Sequence, residues 1–547
     1  MPDGSRAAIA WQEPSQPAGH ANAPYGGYRP AGLTARWEGK RLLPTAWATR
    51  SVAPSWVGRP QREAIVNRRM LRILTASAPA CVAVAVLASV ALPVDAAAQP
   101  APPNFDSSAM PGNEAEDAIA INPVNPSNIV TMSTLPDVVS GLFEGVSFDG
   151  GKTWIRRVIG TGAPLGKICC DEQLAWDRFG NLWMTYLVNT SGHVRVALSA
   201  DGGLTFGKVA DVVPVKPTGS KAPSGATPRR NPPGNNPNIF GDQPSISAGP
   251  NSVWVSYTVF PSTVVQAFGV NVSGLGAFGK FSTPENVPTS DGRGDYGDTA
   301  VGPNGQVMVT YQDQTNGQGG SHIYTAVDAD GLRAGGFADP RLLAHSRVGG
   351  FDYIAAQPDR SVDAEANLAW DHSGGTHDGR VYLTWTQEIK NESDNTDILF
   401  QYSDNNGRTW TPAQRLNHDK TTNSQFMPAI AVDQASGDVA VSWYDARNDL
   451  GTGGPGDTDG IPNDDAQIWA TYSADGGVTF APNFRVSAGT FNAPDAQSFF
   501  DYGDYTHAAF VSHHFYPAWS DNSNSTGQNP DGTLHQLDLL TASVHIP

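Results

Sequence analysis

Acidic residues recur just before runs of alternating apolar residues along this sequence. They are Glu114, Glu116, Asp117, Asp171, Glu172, Asp242, Asp295, Asp298, Asp363, Glu365, Asp501 and Asp504. Crowded carboxylates raise one another's pKa values unless cations or arginines intervene. A group of this kind suits acid and base catalysis or metal binding. The alternative is that each carboxylate accepts hydrogen bonds from backbone N–H groups where a strand begins.

A phenol, a carboxylate and a bidentate anion donor occur together in the segment WYDAR, as Tyr444, Asp445 and Arg447. The segment closes an apolar strand pattern, so these residues begin a loop, where binding and catalytic residues are common. We expect them to join Asp504 and Tyr505 of the segment GDY at the edge of a catalytic pocket. The competing interpretation is an Asp–Arg pair that ties neighbouring units together.

A glycine-rich loop, GTGGPGDTDGIPNDDAQ at residues 451–467, concentrates oxygen ligands. Asp457, Asp459, Asn463 and Asp465 predict a structural calcium ion, because Ca²⁺ prefers carboxylate and amide oxygens on a loop that can wrap around it. The spacing is not that of an EF-hand. A solvated acidic loop is the alternative.

The elements that must position these residues follow from an internal repeat. Seven copies of an acidic or polar cluster, an apolar alternation, a turn and a second strand begin at positions 116, 171, 242, 295, 363, 425 and 503. Alternation with a period of two predicts antiparallel strand pairs, and the wide spacing leaves room for two more strands in each copy. The predicted fold class is all-β, a β-propeller of four-stranded antiparallel blades, with seven blades favoured over six.

Four short segments share one spelling: SFDGGKTW at 147–154, SADGGLTF at 199–206, SDNNGRTW at 403–410 and SADGGVTF at 473–480. In this pattern Ser and Asp can accept backbone N–H groups of a tight turn, Gly can take a positive φ, and the aromatic residue can pack between sheets. The spelling resembles the Asp-box, or bacterial neuraminidase repeat, and Asn405 is the one departure from it. The resemblance implies a sialidase-like propeller with the boxes at the blade periphery.

The resemblance also carries an expectation about activity. Sialidases use three arginines, a Tyr–Glu nucleophile pair and an Asp acid, with the first arginine shortly before the first blade. Residues 99–112 contain no arginine, which departs from that pattern. We expect glycoside hydrolysis of extracellular glycans by paired carboxylates. The alternatives are a non-catalytic propeller that binds carbohydrate or protein, and a polysaccharide lyase that uses Tyr505 and His507.

The N-terminal hundred residues predict export. Arg68, Arg69 and Arg72 precede an apolar run that ends in the A-x-A site of residues 96–98, which is typical of a secretory signal peptide. We therefore divide the chain into an upstream segment (1–69), a signal peptide (70–98), a linker (99–112) and the propeller (113–547). The mature protein is expected to be secreted or periplasmic, and an N-terminal membrane anchor is the alternative.

Net charge restricts the classes of binding partner, and the cysteine count restricts the possible disulfides. Residues 1–98 hold 11 basic and 5 acidic residues, so the remaining chain has 24 Lys and Arg against 48 Asp and Glu, a net charge of −24. Such a surface repels nucleic acid and anionic membranes and attracts divalent cations. The remaining cysteines, Cys169 and Cys170, are adjacent; they form either a strained vicinal disulfide or two half-buried thiols.

Overall fold

The computed structural model describes residues 100–189, 191–212, 239–295, 297–313, 317–364, 366–390, 393–496 and 498–547. The described residues belong to one compact unit of the chain. The predicted upstream segment 1–69, the predicted signal peptide 70–98 and Glu365 lie outside them. No helix of the described residues is long and apolar enough to cross a membrane.

Antiparallel sheets follow one another along the chain, and we number the seven larger ones as blades 1 to 7. The first strand and blade 1 are β1 (Asn104–Asp106), β2 (Ala115–Ile121), β3 (Ile129–Thr134), β4 (Leu142–Ser147) and β5 (Ile155–Ile159). Blade 2 is β6 (Thr161–Gly162), β7 (Gly166–Trp176), β8 (Leu182–Val188), β9 (Val194–Ser199) and β10 (Gly207–Val212). Blade 3 is β11 (Phe240–Ala248), β12 (Ser252–Phe260), β13 (Val264–Gly274), β14 (Ala277–Phe278) and β15 (Glu285–Asn286).

The second half of the chain continues the series. Blade 4 is β16 (Gly294–Asp295), β17 (Thr299–Val301), β18 (Val307–Asp313), β19 (Ser321–Asp328) and β20 (Arg341–Ser346), and a separate hairpin follows as β21 (Asp352–Ile354) and β22 (Gln357–Val362). Blade 5 is β23 (Asn367–Trp370), β24 (Val381–Glu388), β25 (Thr396–Ser403) and β26 (Gln414–Arg415). Blade 6 is β27 (Gln425–Val432), β28 (Val439–Asp445), β29 (Asp465–Ser473), β30 (Phe484–Arg485) and β31 (Phe491–Asn492), followed by α1 (Ala493–Ala496). Blade 7 is β32 (Ala508–Val511), β33 (His514–Asp521), β34 (Asp538–Ala542) and β35 (Val544–His545), with β1 paired to β34.

The blades close into a ring. The inner strands contact one another in the order β2, β7, β11, β17, β23, β27 and β32, and β32 contacts β2 again. Each of the seven sequence repeats supplies the inner pair of strands of one blade. The fold is therefore a seven-bladed β-propeller, which confirms the predicted fold class and excludes six blades.

Burial falls from the axis to the rim, as the residue patterns require. Every residue of the second strands β3 and β8 is buried, whereas the outer strand β5 exposes Ile155 and Arg156. The aromatic residue predicted to close the second strand of six blades is at most 2% exposed in every case. These residues are Tyr186, Tyr257, Tyr311, Trp385, Trp443 and Trp519. Their rings fill the space between blades and supply much of the hydrophobic stabilisation.

The Asp-boxes form the turns between the third and fourth strands of blades 1, 2, 5 and 6. In the first box Ser147 Oγ accepts the Gly151 N–H at 2.9 Å, and Asp149 accepts the N–H and Oγ–H of Thr153 at 2.9 and 2.7 Å. The Asn405 amide replaces this carboxylate: Oδ1 accepts the Thr409 N–H and Nδ2 donates to Thr409 Oγ1. The boxes also join blades, because Arg157 of blade 1 donates to two carbonyls of the second box.

The predicted linker 99–112 takes part in the fold, which corrects that boundary. β1 pairs with β34 in the register Asp106↔Leu540, so blade 7 combines strands from both ends of the described chain. The Ser107 N–H donates to the Leu539 carbonyl at 3.0 Å. The prediction missed the strand because it has only three residues and carries no period of its own.

A buried pair of carboxyl groups lies at this closure. Asp106 and Asp538 are 1% and 0% exposed, and the two carboxyl groups interact electrostatically. Burial, followed by the charge of Asp106, raises the pKa of Asp538 to about 9. The folded chain therefore keeps a proton at this site that the unfolded chain, with a carboxyl pKa near 3.8, has already lost at neutral pH.

This proton predicts a pH dependence of stability. Its contribution is complete below about pH 4 and is lost as pH rises toward 9, because the folded-state pKa is the higher one. We expect Asp538→Asn, whose amide does not titrate, to be more stable than the unmodified protein at pH 9.5 by about 1 kcal/mol or more. Chemical denaturation at pH 5, 7 and 9.5 measures the difference, with the exposed Asp339→Asn as control. Parallel pH profiles for Asp538→Asn and the unmodified protein would contradict the retention of a proton by Asp538 in the folded chain.

Candidate functional site

The inner strands of several blades begin with a β-bulge. The register shifts at Ala115/Ala118 in blade 1, at Cys170/Gln173 in blade 2 and at Asp242/Ser245 in blade 3. One residue in each bulge has a positive φ: 62° at Glu116, 57° at Asp171 and 43° at Gln243. Bulges redirect side chains and often lie beside functional sites. Here they redirect side chains of neighbouring blades at the same end of the ring.

Four carboxylates come close together at this end, and one guanidinium pairs with two of them. We call this group the axial cluster: Glu116 of blade 1, Asp171 of blade 2, Asp242 of blade 3 and Asp504 ahead of blade 7, with Arg360. Arg360 pairs with Asp504 and, at 3.2 Å, with Glu116. Gln243 connects Asp171 to Asp504. Its N–H donates to Asp171 Oδ2 at 2.9 Å, and its Nε2 donates to Asp504 Oδ2 at 3.4 Å.

Arg360 belongs to the β21–β22 hairpin, which lies between blades 4 and 5 in the order of the chain. The Asp501 carboxylate accepts the N–H groups of Asp359 and Arg360 at 2.9 and 2.8 Å and so fixes the backbone of the hairpin. The guanidinium also lies over the Phe500 ring, 4.6 Å from its centre. The side chain is 24% exposed, so the cluster is open to solvent on one side.

A glycine allows the Asp504 segment to approach blade 1. Gly503 has φ +91°, and a Cβ atom there would lie 2.4 Å from Glu116 Cγ. Gln357 of the hairpin holds the same segment, because its Nε2 donates to the Gly503 carbonyl at 3.0 Å and its Oε1 accepts the Tyr502 N–H at 2.9 Å. A glycine at position 503 is thus required by packing at the cluster.

The carboxyl groups of the cluster fall into two electrostatic classes. Burial, followed by the charges of Asp242, Glu116 and Asp504, raises the pKa of Asp171 well above its usual value. The protonated form of Asp171 is therefore favoured relative to that of a free aspartate. Glu116 and Asp504 instead pair with the Arg360 guanidinium, which stabilises their ionised forms. A neutral carboxyl group beside carboxylates is an arrangement that supports acid and base catalysis.

Tyr505 lies in the wall of the same site. Its side chain is buried, and its hydroxyl has no hydrogen-bond partner among the described residues. Burial and then the charges of Asp171, Glu116 and Glu172 raise the pKa of its phenol well above the usual value. Tyr505 also borders a small cleft with Asp363 and Asp504. A buried hydroxyl without a partner is costly, and a ligand hydroxyl can satisfy it.

Other carboxylates of the predicted set have structural partners, as the alternative interpretation expected. Asp298 accepts the N–H groups of Thr299 and Leu368 at 2.7 and 2.8 Å, which joins blades 4 and 5. Asp117 accepts Ser520 Oγ–H at 2.7 Å, which joins blades 1 and 7. The inner-strand position therefore serves two purposes.

The structure places the charged WYDAR residues, Asp445 and Arg447, in contact with each other and with tryptophans of blade 6. Asp445 accepts Trp443 Nε1–H at 2.7 Å and pairs with Arg447 at 2.6 Å, and Arg447 lies 4.1 Å from the Trp469 ring centre. These contacts are all inside blade 6. The charges of Asp445 and Arg447 neutralise each other at the end of β28.

Tyr444 has an interblade role. It is fully buried, its hydroxyl accepts the Ser520 N–H at 2.9 Å, and its ring stacks on Phe426 and Tyr502. The phenol of WYDAR thus ties blade 6 to blade 7 and is not available to a substrate.

The aspartates of the predicted calcium loop lie close together, whereas its asparagine does not. Carboxylate oxygens of Asp459, Asp464 and Asp465 lie within 4.8 Å of one another, as do those of Asp449, Asp457 and Asp465. Asn463 does not join them: its Oδ1 accepts the Ser424 N–H at 2.7 Å, and its Nδ2 is directed at Ser424 Oγ. Its positive φ of 72° turns the side chain toward the start of blade 6.

Sequence reasoning missed Arg360, which holds the axial cluster together. The available signal was its position in QPDRSVD, three residues before the acidic start of the fifth repeat. An arginine beside a predicted ring of carboxylates is the expected counter-ion, but only the hairpin geometry shows that this side chain reaches blades 1 and 7.

Comparison with known proteins identifies one of the Asp-boxes. The family model for the BNR/Asp-box repeat matches residues 401–412. No curated protein matches the sequence. The chain is similar in fold to an α-L-arabinofuranosidase of Fusarium graminearum, at 11% identity over 63% of this chain and 92% of that chain with a TM-score of 0.40.

Two further solved structures are similar at the same level. A protein of unknown function from Dyadobacter fermentans is 12% identical over 82% of this chain and 99% of its own, with a TM-score of 0.42. A Hadza microbial sialidase is 15% identical over 75% of each chain, with a TM-score of 0.36. The family match covers the repeat at residues 401–412, and none of these likenesses assigns the chain a substrate.

The Asp445–Arg447 pair predicts a structural effect of mutation. We expect Asp445→Asn to lower the free energy of unfolding by about 3 kcal/mol, because Arg447 keeps its charge without a buried partner. Asp404→Asn is the matched control, since it breaks the Arg380–Asp404 pair, in which Asp404 is 61% exposed, and should cost about 1 kcal/mol or less. Denaturant unfolding of both variants measures this. Equal costs would contradict the buried role of Asp445.

Proposed function

We propose that this protein is an exported glycoside hydrolase that acts on neutral extracellular glycans at the axial cluster. The observation that carries the proposal is the convergence of Glu116, Asp171 and Asp504 from separate blades around Arg360. Glycosidases need a protonated carboxyl group to assist the leaving oxygen and a carboxylate that acts on the anomeric carbon or on water.

The two electrostatic classes suggest a division of roles. Asp171, kept protonated by burial and by its anionic neighbours, is the proton donor to the glycosidic oxygen. Glu116 and Asp504 remain ionised beside Arg360 and stabilise the positive charge that develops on the sugar, one of them as base or nucleophile. Tyr505 offers its unpartnered hydroxyl to a sugar oxygen.

The charge balance of the cluster favours a neutral substrate. Arg360 is the arginine that pairs with these carboxylates in the described part of the chain, and two anionic partners already occupy it. An anionic sugar such as a sialoside would meet a surplus of negative charge, and such sugars are held in sialidases by three arginines. We therefore propose a neutral glycan in place of the sialoside that the Asp-box resemblance first suggests.

Exposed aromatic residues on the two segments that form the cluster suit this substrate class. Phe499, next to the ring that stacks on Arg360, is 65% exposed, and Tyr353 of the hairpin is 50% exposed. Flat apolar rings of this kind pack against the C–H faces of neutral sugars. Export follows from the predicted signal peptide, residues 70–98, and fractionation of the native host would test it.

The lyase alternative fits these residues less well. A tyrosine base must ionise, whereas the surrounding carboxylates raise the pKa of Tyr505. Burial lowers the pKa of His507 to about 4, and its Nδ1 lies 3.0 Å from the Asp117 carbonyl, so it is a neutral, packed side chain.

Leaving-group dependence tests the assigned roles. On neutral aryl glycosides with a poor leaving group, we expect Asp171→Asn and Asp504→Asn each to lower kcat at least about 100-fold. With an activated dinitrophenyl leaving group Asp171→Asn should recover most of its activity, because protonation is no longer required, and Asp504→Asn should not. The activity of the unmodified protein should fall as pH rises through the raised pKa of Asp171, since the donor must be protonated.

Asp404→Asn, which changes an exposed carboxylate, should retain full activity. Turnover of sialosides in preference to all neutral glycosides would overturn the substrate assignment. Binding of neutral oligosaccharides by the unmodified protein without any turnover would overturn the enzyme and leave the carbohydrate-binding propeller.

A further inference from the structure

An acidic loop on blade 6 brings together carboxylates that the axial cluster does not use. It connects β28 to β29 and lies at the end of the blade where β27 begins, since Gln425 pairs with Asp445. Oxygens of Asp459, Asp464 and Asp465 lie within 4.8 Å of one another. Three carboxylates at this spacing repel one another unless a cation joins them.

One carboxylate oxygen of this group is buried without a hydrogen-bond donor. Asp464 is 5% exposed, and its Oδ1 accepts no hydrogen bond from the described residues. A buried carboxylate oxygen without a donor or cation is costly. No Lys, Arg or His occurs between Arg447 and Arg485, and Arg447 is already paired with Asp445. The segment between Arg447 and Arg485 therefore supplies no counter-ion of its own.

Two other carboxylates shape the loop. Asp449 Oδ2 accepts the N–H groups of Asp464 and Asp465 at 2.8 and 2.9 Å. Asp457 accepts the N–H groups of Gly453 and Gly460 at 2.8 and 2.7 Å. Because their oxygens hold backbone N–H groups, Asp449 and Asp457 orient the other three aspartates.

We propose that this loop binds one calcium ion through Asp459, Asp464 and Asp465, with Asp449 and Asp457 as positioning residues. All donors are hard oxygens, and the trio includes no Cys or His, which excludes a preference for zinc or copper. Ca²⁺ accepts six to eight oxygens in irregular geometry, whereas Mg²⁺ needs a near-ideal octahedron and keeps its waters. An anionic, glycine-rich loop therefore favours Ca²⁺.

The ion would stabilise one side of the axial cluster. Asp465 begins β29, and it pairs there with Asn492 of β31. From β31 the chain passes through α1 to Asp501 and Asp504. A cation that fixes Asp465 thus restrains the segment that delivers Asp504. The calcium site itself does not depend on the proposed enzymatic function.

Thermal unfolding of the full secreted protein tests the site. After treatment with EDTA, 1 mM CaCl₂ should raise Tm by about 3 °C or more, and 1 mM MgCl₂ should raise it by less than half as much. Asp464→Asn should lose the calcium response and unfold at an equal or higher temperature than the unmodified protein in EDTA, since it removes an uncompensated buried charge. Asp459→Asn, at an exposed position, should weaken calcium binding at least about 10-fold by titration calorimetry.

The matched control is Asp475→Asn, an Asp-box aspartate on the same blade and outside the loop. It should keep the full calcium shift. Equal calcium shifts in Asp464→Asn and the unmodified protein, or no calcium binding by calorimetry, would overturn the proposal. Because Tm and calorimetry need no substrate, a failure here leaves the hydrolase proposal standing, and a failure of the hydrolase leaves this one.

Discussion

Like charge at one end of the propeller axis is the constraint on which the rest of the site depends. Glu116, Asp171, Asp242 and Asp504 come from different blades, and their mutual repulsion is opposed by two devices. Arg360 neutralises part of the charge, and burial raises the pKa of Asp171, which favours its protonated form. Without either device, repulsion among the carboxylates would destabilise the folded arrangement that the bulges produce. The same balance produces a proton donor next to carboxylates, which is the chemical basis of the proposed hydrolysis.

The ring must be closed for this balance to exist. Asp504 precedes blade 7 and Glu116 belongs to blade 1, so they meet only because β32 packs against β2 and β1 completes blade 7. The Asp106–Asp538 pair lies at that closure. The Asp-boxes contribute at the periphery, where backbone carbonyls of the second box bind Arg157 of the preceding blade. Structural carboxylates and functional carboxylates therefore depend on one architecture.

The fold could be read largely from the sequence, because alternation, turn residues and the Asp-box are local signals. The axial carboxylates could also be predicted from the sequence, since each occupies the same position in its repeat. The residues of WYDAR were misleading: Asp445 and Arg447 satisfy each other inside blade 6, and adjacency in sequence carried no information on where they point. Arg360 and β1 were missed for a shared reason. Both act through contacts with strands hundreds of residues away or at the other end of the chain, which no local pattern encodes.

The central claim is that Arg360 and Asp504, 144 residues apart, form one ion pair at the axis. A double-mutant cycle with Arg360→Gln and Asp504→Asn, read out as the free energy of unfolding, measures that interaction directly. The structure predicts a coupling of about 1 to 3 kcal/mol between the two positions. Additive effects within about 0.3 kcal/mol would show that the side chains do not meet, and would contradict the axial cluster together with the function inferred from it.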